Sequence, residues 1–135
     1  MQPLRTDLFL RRALKGNAAF SLLCGAVLLV GGGALAPLLG VPALALRVVG
    51  LTLLPFAFGL WRNASRASVS RGEAWSAVAL DLAWVAGSIA LVAFELWPLE
   101  PAGTWAVVGV ADVVAFWALL QTVGLYRSRP EPIAA

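Results

Sequence analysis

Residues 74–97, AWSAVALDLAWVAGSIALVAFELW, decide the fold. As a helix rising about 1.5 Å per residue, this stretch is about 36 Å long, enough to cross a hydrocarbon layer of about 30 Å with some tilt. Only Asp81 interrupts it deeply, while Glu95 lies near its far end. Trp75 and Trp97 stand at its two ends, where indoles are favoured at membrane interfaces. Three further stretches have the same character, and the four expected spans are 17–36, 43–61, 74–97 and 104–126. The expected fold class is therefore all-α: one polytopic domain, a four-helix transmembrane bundle built as two antiparallel hairpins.

Composition supports this reading. With 135 residues, 61% of them hydrophobic and 13% charged, the chain has too little polar surface for a water-soluble domain of this size. The length accommodates one bundle and no separate soluble domain.

The basic residues set the expected orientation. Arg5, Arg11, Arg12 and Lys15 precede the first span, Arg62, Arg66 and Arg71 lie between the second and third, and Arg127 and Arg129 follow the fourth. Arg47 alone falls on the other side. This positive-inside pattern places both termini and the middle loop in the cytoplasm of a bacterial cell, in its inner membrane. The net charge of +3 reflects membrane topology; no nucleic-acid partner is expected, because the arginines are not interleaved with aromatic or base-reading groups.

The remaining features refine this picture. The order of basic and apolar residues from Arg11 onward resembles a signal peptide, but Pro37 follows the small-residue triplet Ala34-Leu35-Ala36, so an uncleaved first span is expected. Residues 7–16, DLFLRRALKG, read as a brief amphipathic segment, with Leu8, Phe9, Leu10 and Leu14 toward lipid and Arg11, Arg12 and Lys15 toward phosphate. Thr104 is placed to cap the fourth helix.

Charges inside a span are costly and need partners, which singles out Asp81 and Asp112. Gln121 matches Asp81 in depth, so the two are expected within hydrogen-bond reach. Nine residues separate Gln121 from Asp112, which puts them on opposite faces of one helix. Arg47 is a candidate partner for Glu95 or Asp112. Asp81, Ser88 and Glu95 recur every seven residues as a polar stripe, and Ala79, Ala83 and Gly87 recur every four as a small-residue stripe suited to close helix packing. These stripes lead to the expectation that the third span is the central helix.

No catalytic triad, phosphate-binding loop or zinc motif is present in the sequence, which has no histidine and a single cysteine, Cys24. No metal, cofactor or enzymatic activity is expected. The run LDLAWVAGS, from Leu80 to Ser88, together with ALLQTVGLYRSR at the end of the fourth span, resembles small four-span bacterial inner-membrane proteins. The resemblance implies topology and carries over no activity. The expected function is that of a non-enzymatic accessory, assembly or stabilising subunit of a larger membrane complex, with membrane lipids and other subunits, or further copies of the chain, as partners. The alternatives are a small oligomeric transporter or proton-coupled permease with Asp81, Asp112, Gln121 and Arg47 as its polar route, and a lipid- or quinone-binding module using Trp84 or Trp117.

Overall fold

The computed structural model describes residues 5–128. Its elements are four helices: α1 Arg5–Leu39, α2 Ala43–Ser65, α3 Arg71–Ala93 and α4 Pro101–Arg127. All four are long and apolar enough to cross a membrane. Large apolar side chains including Val30, Leu44, Phe58 and Trp105 lie on the outer surface, where a soluble bundle would expose polar groups. Arg129 and the rest of the tail lie outside the described residues.

The helix ends show how the chain turns. At the end of α1, Gly40 adopts a φ of 74°, and the amides of Gly40 and Val41 both donate to the Ala36 carbonyl. Glycine takes this left-handed conformation without the penalty of a Cβ. Between α2 and α3, the buried Asn63 side chain exchanges hydrogen bonds with the Ser70 backbone, at 3.1 and 2.8 Å. The Ser70 hydroxyl in turn accepts from the Glu73 amide at the start of α3. The serine- and arginine-rich connector is thus an ordered turn.

Several sequence expectations are corrected here. The third helix ends at Ala93, four residues before Trp97, because the Leu96 amide turns back to the Leu91 carbonyl and Glu95 enters the left-handed region at φ 49°. Its 23 residues still span about 34 Å. The fourth helix begins at Pro101, with Glu100 at its cap; proline suits the first helical position because it has no amide hydrogen to leave unpaired. Thr104 is therefore inside the helix and does not cap it. Residues 7–16 are continuous with α1, and Leu10 and Leu14 turn into the protein interior instead of toward lipid.

The third span is not the central helix. α1 packs most extensively, against both α2 and α4, whereas α3 leans mainly on α4 and barely touches α2. Glycine explains this arrangement. A Cβ at Gly50 would come within 2.7 Å of the Gly25 carbonyl oxygen, and one at Gly103 would collide with the Leu39 carbonyl. One at Gly124 would lie 2.9 Å from Leu10 Cα. These missing side chains let α2 and α4 approach the α1 backbone. The helices therefore lie in the order α2, α1, α4, α3, with an open side between α2 and α3.

Both ends of the bundle are tied. At one, the Arg11 guanidinium donates to the carbonyls of Ala64, Arg66 and Ala67, and Arg71 donates to Ser128. Leu10, Leu14, Ala18, Leu60, Val78 and Leu125 form the principal apolar core just inside that end. At the other end, the Trp97 indole donates to the Gly40 carbonyl at 2.9 Å, and the Glu100 amide to the Leu39 carbonyl at 3.1 Å.

Candidate functional site

Inside the bundle, three helices meet at a cluster of polar side chains. α1 brings Asn17 and Ser21, α3 brings Asp81, and α4 brings Gln121; all four are buried. The Asn17 amide donates to Asp81 Oδ2 at 2.8 Å and to Gln121 Oε1 at 3.3 Å. The Gln121 amide donates to the same Asp81 oxygen at 2.9 Å and to the Trp117 carbonyl at 3.0 Å. Ser21 donates to Asn17 Oδ1 at 3.3 Å. One carboxylate oxygen therefore receives an amide from each of two neighbouring helices.

The local sequence positions these groups. Ser21 lies four residues after Asn17, which puts both on one face of α1. Ala18 and Ala118, both buried, provide small neighbours on the facing helices. Gly16 leaves room for the Trp117 ring, onto which a Cβ at that position would intrude. The Trp117 indole N–H is buried and has no partner among the described residues.

Beside the cluster lies a pocket of about 240 Å³ to which all four helices contribute. Phe20, Cys24, Phe56 and Trp84 are among its apolar lining residues, and Asp81 and Ser21 reach it from the polar side. A larger cleft of about 640 Å³ follows the open side between α2 and α3 and shares Phe56 and Leu80 with the pocket. Its mouth carries Arg62, Asn63 and Glu73. Arg66 pairs with Glu73 at 3.2 Å, both on the surface.

The other sequence candidates are placed elsewhere. Asp112 is exposed on α4, on the side away from buried Gln121, and among the described residues no hydrogen bond or ion pair joins it to Asp81. Arg47 crosses the glycine run of α1: its Cγ lies 3.1 Å from where a Gly32 Cβ would be, and its guanidinium 3.3 Å from the corresponding point at Gly33. Among the described residues it forms no ion pair with Glu95 or Asp112. The expected polar stripe on α3 does not form, since Asp81 turns inward, Ser88 donates to its own helix at Trp84 O, and Glu95 lies beyond the helix end. Ala79, Ala83 and Gly87 face outward, with nothing within 4 Å of a Cβ at Gly87. They do not pack against another helix of this chain.

Asn17 and Ser21 join the cluster without a charge to mark them in the sequence. Their signal was an amide and a hydroxyl four positions apart at the entry to an apolar run. A first span that starts at Asn17 puts that amide at the interface; because α1 begins at Arg5, it lies about 18 Å into the helix.

These features define an all-helical, multi-pass membrane protein with a buried carboxylate–amide cluster beside an apolar pocket. No family model, curated protein or solved structure matches the chain.

Proposed function

We propose that the chain is a non-enzymatic accessory, assembly or stabilising subunit of a larger membrane complex in a bacterial inner membrane, folded as two antiparallel hairpins with both termini cytoplasmic. The observation that carries this reading is the outward face of α3, where Ala79, Ala83 and Gly87 leave the helix backbone uncovered within the chain. Small residues at such spacing let a second transmembrane helix approach closely, which is where packing energy between helices in lipid arises. The polar cluster fits the same role, because it fixes α3 to α1 and α4 and so holds this face in a defined orientation.

The contacts of Arg11 with Ala64, of Gly25 with Gly50 and of Gly32 with Ala43 support the opposed course of the first two helices. The basic residues at the start of α1, the end of α2, the start of α3 and the end of α4 support the cytoplasmic assignment. Ser68→Cys and Ala102→Cys in a Cys24→Ala background test it: an impermeant maleimide applied to intact cells should label position 102 and spare 68. For the subunit role, a photo-crosslinking residue at position 87 should capture one membrane protein in near-stoichiometric yield. The same group at exposed Leu51 on α2 should not. A chain that remains solitary at both positions in native membranes would refute the subunit role.

A further inference from the structure

Asp81 is held through one of its two oxygens. Oδ2 receives the Asn17 and Gln121 amides at 2.8 and 2.9 Å, while Oδ1 has no hydrogen-bond partner among the described residues. The residue is 4% exposed and lines the pocket of about 240 Å³. No lysine or arginine lines that pocket, and the groups bonded to the carboxylate are neutral amides. A buried carboxylate with amides but no cation still lacks its counter-charge, and ionisable groups at membrane depth ordinarily find one.

The other hydroxyls at the pocket wall have already committed their hydrogens. Ser21 donates to Asn17 Oδ1 at 3.3 Å, and Thr52 to the Val49 carbonyl at 2.8 Å. Each hydroxyl has a single hydrogen, so what these oxygens can still offer is lone pairs. Together with Asp81 Oδ1, they make the oxygen chemistry of the pocket that of an acceptor. Phe20, Phe56 and Trp84 are the aromatic part of an otherwise aliphatic wall, and aromatic faces attract cations through the ring quadrupole.

We propose that this pocket binds a lipophilic amine, whose protonated nitrogen donates to Asp81 Oδ1 while its hydrocarbon body lies among Phe20, Phe56 and Trp84. The volume suits an ammonium group and the first part of an alkyl chain. The cleft between α2 and α3 shares the Phe56 and Leu80 side chains with the pocket, and movement of these two side chains would give the remaining chain its route of entry. The inference rests on the pocket and not on the outer face of α3, so it is independent of the subunit role.

The test uses the full chain in phosphatidylcholine nanodiscs, with dodecylamine as probe and 1-dodecanol as its uncharged counterpart, read by native mass spectrometry and thermal unfolding. Asp81→Asn retains an oxygen for the two amide donors and removes the charge. Val110→Phe fills the pocket from α4 without altering any member of the polar cluster. One dodecylammonium per wild-type chain is expected, with affinity at least tenfold lower in both variants, and the wild type should bind dodecanol at least tenfold more weakly than the amine. The proposal is overturned if the wild type binds amine and alcohol equally, or if Val110→Phe, folded by its unfolding transition, keeps wild-type affinity for the amine. Should Asp81→Asn fail to fold, Val110→Phe and the alcohol comparison still decide.

Discussion

Replacing Asn17 with alanine removes the side chain through which α1 bonds to both other helices of the polar cluster. Three hydrogen bonds go: the 2.8 Å bond to Asp81, the 3.3 Å bond to Gln121 and the 3.3 Å bond from Ser21. Bonds between membrane helices average about 0.6 kcal/mol, with a maximum near 1.7. Placing the short bond to a carboxylate near the top of that range and the two long ones near its mean gives a loss of about 3 kcal/mol, roughly 100-fold in the folding equilibrium. Asp81→Asn keeps an oxygen for both amides and loses only the charge assistance, so it should cost about 1 kcal/mol. Gln121→Ala removes the 2.9 Å bond together with the acceptor used by Asn17, and should cost about 2 kcal/mol. In the Asn17→Ala/Gln121→Ala double variant Asp81 loses both donors at once, so the combined loss should exceed the sum of the two single losses by about 1 kcal/mol. Reversible unfolding in mixed detergent and dodecyl sulfate micelles, followed by tryptophan fluorescence, measures all four. An Asn17→Ala protein within about 0.5 kcal/mol of wild type, or one more stable than Asp81→Asn, would refute the assignment of Asn17 as the keystone of the cluster.

Further expectations follow from the helix contacts. Gly50→Ala places a Cβ 2.7 Å from the Gly25 oxygen and 2.8 Å from the Leu29 nitrogen, both backbone atoms, and should destabilise by about 1–3 kcal/mol in the same unfolding assay. Gly59→Ala meets nothing within 4 Å and should be neutral or stabilising by up to about 1 kcal/mol, since alanine is the better helix former. Arg11→Lys cannot reproduce the forked contacts with Ala64, Arg66 and Ala67, so amide hydrogen exchange at the end of α2 should accelerate while α3 and α4 are unchanged. Trp97→Phe keeps the ring but loses the 2.9 Å bond to Gly40; a loss of about 1 kcal/mol is expected, and exchange at Gly40 and Val41 should report it.

What one-dimensional pattern determined was the number of helices and their membrane-spanning character, because each depends on a run of apolar residues long enough to form an independent helix in lipid. The bond between Asp81 and Gln121 was also legible, since depth along a helix is simple arithmetic. Which faces touch was another matter. α3 and α4 are apolar almost all round, so their periodicity does not mark the side that meets protein, and Asp112 and the Ala79–Ala83–Gly87 stripe lie on the exposed side. Partner choice was decided instead by close backbone approach at Gly25 and Gly50, at Gly103 and at Gly124, which makes α1 the common neighbour of α2 and α4. The same packing brings Asn17 to Asp81 across 64 positions of chain and leaves the α2–α3 side open. Such contacts arise from the shapes of several helices fitted together, and no single stretch of residues encodes them.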